Sequence, residues 1–530
     1  MTMYDSCYGL TVGELLKKAV SSSPDKEVVY DGTHRITYGE LDRLSTQLAL
    51  GLKHHFSIQK GDRVAVCLPN WHEFLVVYFA VSKLGAILVP MNIRYRREEV
   101  EYILNDSGAK VAFIPREFGG VGHLEMFKEM FDKVPTFEDL ITVRFEDEHY
   151  LSYRQLIEEA YEKPLPPSHL DYEEDVFTIL YTSGTTGRPK GAMLTHRNVV
   201  HTGTITAEAM RCTPDDVFLV AVPVFHVFGM VPSIITAVAA EARMVFMDVY
   251  KAEETLKLIE QEKITVHHGV PTMFILELNH PNFKKYDLTS LRTGIIAAAP
   301  CPVEVVRRIR TEMGCNICVA YGLTETSPTL TITSFDDSDE LRSETVGRPL
   351  PGAEVKIVDD NRNELPYGAI GELACRSFGV MKGYYQKPEQ TKEAIDEEGW
   401  FYTGDLATMD ERGYVRIVGR KKEMIIRGGY NIYPREIEEL YYTHPKVMEV
   451  AIVGLPDSVL GEVTCAVIRL KPNMEATEEE MKAFVADKVA DYKIPDKILF
   501  RDELPMTASG KIQKVKLREI LVNELKGELR

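Results

Sequence analysis

The stretch YTSGTTGRPKG, residues 181–191, decides the fold of this chain. It holds three glycines, four hydroxyl side chains and one lysine, and it follows the apolar run VFTIL of residues 176–180, which predicts a buried strand. A Gly/Ser/Thr loop that leaves a strand can wrap backbone N–H groups and hydroxyls around a polyphosphate, and Lys190 can offset the charge. The spacing is not that of a Walker loop, because Gly191 follows the lysine. Taken alone, the stretch also fits a flexible linker.

Composition narrows the class of protein. The 530 residues are 45% apolar and 27% charged, which is typical of a soluble globular protein. The net charge of −18 argues against a duplex nucleic-acid binder, which shows a basic face. It also argues against electrostatic attachment to an anionic membrane. An anionic ligand would therefore have to be met by local basic residues.

The eight cysteines are scattered through apolar runs without a disulfide rhythm, so we expect a reducing compartment, the cytoplasm. Cys315 and Cys318 have CxxC spacing but no second ligand pair, which argues against a zinc or redox site. The first residues lack the basic and apolar regions of a signal peptide. Residues 218–240 are long and apolar, but prolines and glycines interrupt them. We predict a buried strand, a loop and a buried helix there, and no membrane span.

The order of the predicted elements indicates the fold class. Residues 62–115 alternate strand-like and helix-like segments, and the alternation returns over residues 216–321. Strands joined by helices pair in parallel within an α/β sheet. In the first region, Asn70 and Glu73 have the spacing of a helix N-cap pair.

The pattern of predicted secondary structure changes towards the C-terminus. From residue 347, short strands separated by Gly, Pro and Asp turns predict a small β-rich subdomain. The residues after 420 predict an α+β unit of ordinary domain size. We therefore predict an α/β fold with two domains. The large N-terminal domain, residues 1–420, combines α/β subdomains with parallel-rich sheets and the β-rich subdomain, and the small α+β domain spans residues 421–530.

Five segments occur in a recognisable order: YTSGTTGRPKG at 181, YGLTET at 321, YTGD at 402, GRKKEMIIRGGYNIYPREIE at 419 and PMTASGKIQK at 505. Together they resemble the ANL superfamily of adenylate-forming enzymes, in its acyl-CoA synthetase branch of fatty-acid and aryl-CoA ligases. The resemblance covers nearly the whole chain. It implies that ATP and Mg²⁺ activate a carboxylate as an acyl-adenylate, whose acyl group passes to the thiol of CoA.

The resemblance implies a set of nucleotide-binding residues. The loop at 181–191 would grip the β- and γ-phosphates, and the small residues after 296 would form a flat wall for adenine. The implied ATP-binding residues are Thr182, Ser183, Gly184, Thr185, Thr186, Gly187, Lys190, Ala298, Ala299, Pro300, Tyr321, Gly322, Thr324, Asp405, Arg420 and Lys511.

The implied catalytic residues are Lys511, Glu325, Thr324 and His226. By resemblance, Lys511 reaches the α-phosphate and the substrate carboxylate, and Thr324 offers a hydroxyl to the α-phosphate. Glu325 offers the hard oxygen ligand that Mg²⁺ prefers. The reaction joins two anions, so the catalyst must neutralise charge and hold an in-line geometry.

Three of the implied ATP-binding residues would contact the nucleoside. Tyr321 offers a flat face to adenine, and the Asp405 carboxylate can accept both ribose hydroxyls. Arg420 is the expected second ribose contact.

The resemblance also implies a mobile C-terminal domain that turns about Lys422. One pose would bring Lys511 to the adenylate, and the other would bring the CoA-binding residues Gly428, Gly429 and Tyr430. Glycines there let the backbone approach the pantetheine arm, which a Cβ would obstruct. Such gating is physically reasonable, because two chemical steps need different groups at one centre.

The segment PVFHVFG, residues 223–229, resembles the part of the family that lines the acyl site. The expected acyl-pocket residues are Phe225, His226, Phe228, Gly229, Ile296 and Ala297. His226 would orient the carboxylate or gate the thiol, and a satisfied core histidine is the alternative. No acidic residue stands nearby to pair with an ammonium group, which favours a plain carboxylic acid over an amino acid.

The leading interpretation is an acyl-CoA ligase with a medium- or long-chain fatty acid as substrate. The alternatives are an aryl- or alicyclic-acid CoA ligase, a stand-alone enzyme that loads a carrier protein, a luciferase-like oxygenase and a non-catalytic binding protein. Fold alone does not decide among them. We expect the acid, ATP and CoA as partners and no nucleic acid. A homodimer is the candidate assembly.

Overall fold

The computed structural model describes residues 2–159, 161, 164–166, 168–182, 188–299, 301–507 and 512–525. Residues 183–187 of the predicted phosphate loop, the stretch 181–191, lie outside the described residues. The same holds for Pro300 and for Lys511 with its neighbours 508–510.

Among the described residues the α-helices are α1 Met3–Cys7, α2 Val12–Ser22, α3 Tyr38–Phe56, α4 His72–Leu84, α5 Arg97–Ser107, α6 His123–Lys128, α7 Tyr153–Glu158, α8 His196–Ala209, α9 Thr236–Ala239, α10 Ala252–Glu262, α11 Pro271–Leu278, α12 Val303–Glu312, α13 Asp339–Glu344, α14 Pro388–Ala394, α15 Pro434–Tyr442, α16 Glu478–Ala486 and α17 Lys514–Glu524. A π-helix covers Gly229–Ile235, and short 3₁₀ turns cover Phe283–Lys285, Thr324–Thr326, Lys421–Glu423 and Asp491–Lys493.

The β-strands of the described residues form five sheets. They are β1 Glu27–Tyr30, β2 Arg35–Thr37, β3 Arg63–Val66, β4 Ile87–Pro90, β5 Val111–Ile114, β6 Glu117–Phe118, β7 Val121–Gly122, β8 Asp139–Thr142, β9 Val176–Thr182, β10 Lys190–Thr195, β11 Val217–Val220, β12 Arg243–Phe246, β13 Val266–His267, β14 Thr293–Ile296, β15 Asn316–Tyr321, β16 Thr331–Ile332, β17 Arg348–Pro349, β18 Glu354–Val358, β19 Gly371–Arg376, β20 Gly383–Tyr384, β21 Phe401–Met409, β22 Val415–Arg420, β23 Ile425–Arg427, β24 Tyr430–Ile432, β25 Val447–Asp457, β26 Gly461–Leu470 and β27 Lys497–Phe500.

Two large sheets with parallel centres form the first part of the chain. One has the order β20-β10-β9-β4-β3-β5-β8, and its strands β9, β4, β3, β5 and β8 are parallel neighbours. The other has the order β17-β16-β15-β14-β13-β11-β12-β1-β2, parallel from β15 to β1. The order is not sequential, so helices cross between the strands. The predicted α/β class is confirmed.

The described parts of the phosphate-loop stretch are the two sides of an antiparallel pair. Strand β9 pairs with β10, with Thr182 opposite Lys190. Strand β9 is buried along most of its length, as the apolar run predicts. The stretch therefore starts and returns on the seven-stranded sheet.

The two sheets formed beyond Gly347 are smaller and antiparallel except for β27, which is parallel to β26. Strands β18, β19, β21 and β22 form a four-stranded sheet that ends at Arg420. Strands β23 to β27 form a separate five-stranded sheet that begins at Ile425. Helices α15 and α16 pack their apolar faces on this sheet through Ile437, Tyr441 and neighbouring residues. Division into two domains near residues 420–422 stays our proposal.

One local prediction is wrong. Asn70 does not cap α4, whose N-cap is Trp71 and has no side-chain cap hydrogen bond. The Asn70 amide instead donates to the carbonyl oxygens of Val220 and Val222 at 3.0 Å each, and its oxygen accepts from the Val224 N–H at 2.9 Å. It thus ties the chain after β11 to the neighbouring sheet, because its buried amide finds better partners there than on its own helix.

The apolar segment 218–240 has the predicted form. Strand β11 is followed by a loop, then by the π-helix Gly229–Ile235, which continues into α9. Pro232 sits inside the π-helix, where a proline cannot donate the usual backbone hydrogen bond. Among the described residues, no helix combines the length and the apolar character that crossing a membrane requires.

Candidate active site

A cavity of about 2210 Å³ opens where strands of both large sheets end. Its lining includes residues at or just after the carboxyl ends of β4, β9, β14 and β15, among them Asn92, Thr182, Ala297 and Tyr321. Open α/β sheets bind ligands outside the carboxyl ends of their strands. The fold therefore places the sequence motifs around one space.

The described ends of the phosphate loop face this cavity. Thr182 and Lys190 both line it, as do Arg188 and Pro189. The Lys190 ammonium lies 4.7 Å from the ring centre of Tyr384, within cation–π range. A positive charge is thus held at the mouth of the loop.

Helix α5 supports the stems of the loop. The Tyr181 hydroxyl donates to the Asp106 carboxylate at 2.8 Å, and the Lys387 ammonium lies 2.5 Å from the other oxygen of that carboxylate. The Tyr102 hydroxyl donates to the Pro189 carbonyl at 2.7 Å. Both ends of the loop are therefore anchored to one helix.

The three residues predicted to bind the nucleoside form one group of contacts. The Tyr321 hydroxyl donates to Asp405 Oδ2 at 2.5 Å, and Arg420 Nε lies 3.4 Å from Asp405 Oδ1. Asp405 and Arg420 face each other across the antiparallel pair of β21 and β22. Burial, followed by the nearby Asp405 charge, raises the pKa of Tyr321 well above its usual value, so the phenol remains a donor.

The small residues after β14 also line the cavity. Ala297, Ala298 and Ala299 all do so, and the backbone of Ala298 has a φ of 76°. This is the left-handed region, which costs a non-glycine residue conformational energy. Residue 322 must be a glycine, because a Cβ there would lie 1.4 Å from the Pro328 carbonyl oxygen.

The Glu325 carboxylate is buried at the cavity wall beside Thr324. Its Oε1 accepts the Tyr384 hydroxyl at 2.9 Å, and none of the ion pairs among the described residues involves it. Burial raises the pKa of Glu325 above its usual value. A buried carboxylate next to a hydroxyl, with no cation in contact within the described part of the chain, fits the hard oxygen ligands of Mg²⁺.

The apolar end of the cavity is built by the π-helix segment, α11 and β14. The lining residues there are Phe225, Val227, Phe228, Pro232, Pro271, Thr272, Ile275 and Ile295. Phe228 stacks on the buried His268 ring with centroids 5.8 Å apart. His268 is held by the Pro232 carbonyl at 3.1 Å and the Ile295 N–H at 2.9 Å, and burial lowers its pKa to about 3. It is a neutral structural support for this wall.

The expected acyl residues divide into two groups. Phe225, His226, Phe228 and Ala297 line the cavity. Gly229 and Ile296 are buried behind the wall and are not among the described residues that line it. Gly229 allows a tight turn, because a Cβ would lie 2.3 Å from the Pro223 carbonyl oxygen.

His226 also lines the cavity. Its Nδ1 accepts the Phe228 N–H at 3.2 Å, which places the proton of a neutral ring on Nε2. Its backbone carbonyl also accepts the N–H groups of Gly229 and Met230. The geometry allows His226 to orient a carboxylate, a role that stays our prediction.

Several residues of the C-terminal part of the chain also line the cavity. Thr507 and Ile512, which flank the undescribed Lys511, line it, as does Glu438 of α15. The hairpin of Gly428, Gly429 and Tyr430 is not part of the described lining. Both glycines have positive φ, 56° and 86°, and Tyr430 is exposed and stacks on Tyr492 at 4.6 Å.

The predicted hinge lies at the cavity edge. Lys422 lines the cavity within the turn Lys421–Glu423. Lys421 is ion-paired with Asp360 at 2.7 Å and with Glu372 at 3.2 Å. These contacts attach the turn to the β-rich sheet.

Sequence reasoning missed two members of the site. Tyr384 contacts Glu325, and Asp106 anchors the loop stems, yet neither lies in a motif that drew attention. The available signal was weak: Tyr384 belongs to GYYQKPEQT, a Gly- and Pro-bounded segment without chemistry of its own.

Comparison with known proteins agrees with this architecture. The family model described as AMP-binding enzyme matches residues 16–385, and the model described as AMP-binding enzyme C-terminal domain matches residues 436–511. YngI of Bacillus subtilis, whose name assigns it to the acyl-CoA synthetases, is 43% identical over 96% of both chains. The human mitochondrial medium-chain acyl-CoA ligase ACSF2 is 37% identical over 97% of this chain and 88% of its own length.

A solved structure shows the same fold. The anthranilate CoA ligase AuaEII in complex with anthranoyl-AMP superposes with a TM-score of 0.89 and 27% identity, over 98% of this chain and 99% of that one. The family model covers more than half of the chain, and the relatives extend the match to nearly all of it. The chain therefore belongs to the AMP-binding enzyme family and, within the ANL superfamily, to its acyl-CoA synthetase branch of AMP-forming acid–CoA ligases.

Proposed function

We propose that this enzyme activates a medium-chain fatty acid with ATP and joins it to CoA, releasing AMP and pyrophosphate. In the first step a carboxylate oxygen bonds to the α-phosphorus while the bond to the bridging oxygen of pyrophosphate breaks. In the second step the CoA sulfur bonds to the acyl carbon, AMP leaves, and the thiol proton is released.

The observation that carries the substrate class is the apolar end of the cavity. Phe225, Phe228 and Ile275 line it, and apart from His226 the residues of the π-helix segment, α11 and β14 that line it carry no ionisable side chain. An alkyl chain gains about 0.8 kcal/mol for each methylene buried there. A second carboxylate or an ammonium group would be buried without a partner, which is costly. The medium length is supported by the name of the human relative.

The residues of the nucleotide end have complementary tasks in the first step. Lys190, and by family resemblance Lys511, would offset the phosphate charge, and Asp405 with Arg420 would hold the ribose. Glu325 and Thr324 would hold Mg²⁺, which when bound neutralises phosphate charge and polarises a phosphoryl oxygen. Their common effect is to bring two anions together in a fixed orientation.

We propose that the present arrangement serves the first step. Thr507 and Ile512 face the cavity, while the glycine hairpin at 428–429 lies away from it. A rotation about Lys422 would exchange the two and bring the hairpin to the acyl-adenylate for the second step. The exposure of Tyr430 supports this exchange, because a large aromatic ring gains from burial.

A second candidate is an aromatic acid as substrate. Phe225 and Phe228 could stack on a ring, and the similar structure AuaEII is an anthranilate CoA ligase. A carrier protein as the acceptor is a further alternative to CoA. A cytoplasmic location stays a prediction, supported by eight free, buried cysteines, although relatives named mitochondrial match equally over the chain. The homodimer and the absence of nucleic-acid binding also stay predictions.

The test is CoA-dependent AMP release over acetate, butyrate, octanoate, decanoate, palmitate, benzoate and anthranilate. We expect the highest kcat/KM with octanoate or decanoate. An optimum with benzoate or anthranilate would replace the fatty acid by an aromatic acid. Pyrophosphate exchange that is never followed by CoA-dependent turnover would instead indicate a carrier protein.

A further inference from the structure

Tyr384 lies between two motifs that are far apart in sequence. Strand β20, Gly383–Tyr384, pairs antiparallel with β10, with Tyr384 opposite Ala192. Lys190 stands two residues before Ala192 on β10, so its side chain lies on the same face and diagonal to Tyr384. This register brings the ring under the Lys190 ammonium, 4.7 Å from its centre.

The other side of Tyr384 contacts the turn that carries Glu325. The Tyr384 hydroxyl donates to Glu325 Oε1 at 2.9 Å, and the Met381 N–H donates to the Glu325 backbone carbonyl at 2.8 Å. The tyrosine is buried, and burial followed by the Glu325 charge raises its pKa above the usual value. The phenol is therefore a fixed donor to that carboxylate.

The segment around Tyr384 is itself held firmly. The N–H groups of Lys382 and Tyr385 donate to the carbonyl oxygens of Met193 at 2.9 Å and of Gly191 at 2.8 Å. The Tyr384 N–H donates to Thr391 Oγ1 at 2.9 Å. With the two hydrogen bonds to Glu325, five hydrogen bonds thus hold β20 and its neighbours against β10, α14 and the 3₁₀ turn Thr324–Thr326.

We propose that Tyr384 is a positioning residue that couples the phosphate-loop lysine to the carboxylate of Glu325. Its hydroxyl occupies one oxygen of Glu325 and so directs the other towards the cation that accompanies ATP. Its ring keeps the Lys190 ammonium over the same space. The inference rests on the proposed function for the identity of that cation and of the nucleotide.

The two contacts can be separated by substitution. Tyr384→Phe removes the hydroxyl and keeps the ring, whereas Tyr384→Leu removes both. The probe is Mn²⁺ with ATP, titrated into the full-length enzyme and followed by the electron paramagnetic resonance signal of free Mn²⁺. This readout does not depend on turnover. The matched control is Tyr385→Phe, a neighbouring tyrosine that is not among the described residues lining the cavity.

We expect Tyr384→Phe to weaken binding of Mn²⁺ in the presence of ATP about tenfold, since a hydrogen bond to a charged group is lost. ATP affinity measured without a divalent cation should stay unchanged in Tyr384→Phe and fall in Tyr384→Leu, because only the latter releases Lys190. Tyr385→Phe should match the wild type in both measurements. In a Glu325→Gln background, Tyr384→Phe should have no further effect on Mn²⁺.

Unchanged Mn²⁺ binding in a folded Tyr384→Phe enzyme would overturn the proposal. The proposal would also be overturned if Tyr384→Phe weakened Mn²⁺ binding as much in the Glu325→Gln background as in the wild type, since the tyrosine would then act through the general fold. Failure of the proposed function is distinguishable. In that case the wild type would bind Mn²⁺ and ATP and still show no acid-dependent AMP release.

Discussion

The Asp405 carboxylate offers the sharpest test of the nucleotide site. It is buried, accepts the Tyr321 hydroxyl on Oδ2 and lies 3.4 Å from Arg420 on Oδ1. These contacts orient the carboxylate, and a carboxylate can accept hydrogen bonds from ribose hydroxyls. If Asp405 accepts the 2′-hydroxyl, replacing ATP by 2′-deoxy-ATP removes a hydrogen bond to a charged group, which is worth about 1.5–3 kcal/mol.

The wild type should therefore prefer ATP over 2′-deoxy-ATP by roughly ten- to a hundredfold in kcat/KM, because about 1.4 kcal/mol corresponds to a factor of ten. In Asp405→Asn the preference should shrink to a few-fold, since the charge is lost and one acceptor becomes a donor. The assay is initial-rate pyrophosphate release with each nucleotide, evaluated as a double-mutant cycle.

The control is Asp410→Asn, which changes a turn aspartate beyond β21 that pairs with Arg412 at 3.0 Å. It should retain the wild-type preference. The reasoning would be refuted if Asp405→Asn lowered both rates equally and left the nucleotide preference intact. The aspartate would then support the structure without touching the ribose.

Three further predictions test other parts of the account. Lys511→Ala should abolish pyrophosphate exchange and leave transfer from preformed acyl-adenylate to CoA largely intact, and equal loss of both half-reactions would contradict the two poses. Gly229→Ala should raise the KM for the acid about tenfold, because the new Cβ meets the Pro223 carbonyl oxygen at 2.3 Å. The control Gly122→Ala, whose Cβ meets no atom within 4 Å, should leave this KM unchanged, and equal KM values in the two variants would count against the proposed packing. His201→Phe should reduce loss of stability in acid. Burial lowers the pKa of His201 from 6.5 to about 4. Between those pH values the unfolded chain binds the proton more strongly than the folded chain, so the free energy of unfolding decreases as the pH is lowered. Urea unfolding at about pH 7 and about pH 5 measures this, and an unchanged pH dependence in the variant would exclude it.

Local sequence patterns predicted the fold well where they reflect burial. The apolar run before the phosphate loop is β9, and the alternation of strands and helices produces the parallel sheets. The motifs containing Tyr321 and Asp405 also meet, because Tyr321 ends β15 and hydrogen-bonds to Asp405 in the middle of β21, and both line one cavity. These features follow from periodicity, turn residues and the resemblance of short motifs.

Tertiary partners were beyond the reach of such patterns. Asn70 matches a helix cap in sequence, yet its amide bonds to the backbone near Val222 on the neighbouring sheet. Tyr384 is 59 residues from Glu325, and nothing in its local context indicates that hydrogen bond. Ala298 was expected for its small size, but its left-handed backbone depends on the surrounding packing.

The most direct test of the central claim uses octanoate labelled with heavy oxygen in both carboxylate positions. If the acid attacks the α-phosphorus and CoA then displaces AMP, each AMP molecule released must carry one heavy oxygen in its phosphate. Mass spectrometry of AMP and pyrophosphate after CoA-dependent turnover decides this. Label in AMP and none in pyrophosphate is the predicted result. Label in pyrophosphate or inorganic phosphate, or acyl-CoA formation with unlabelled AMP, would contradict an acyl-adenylate mechanism.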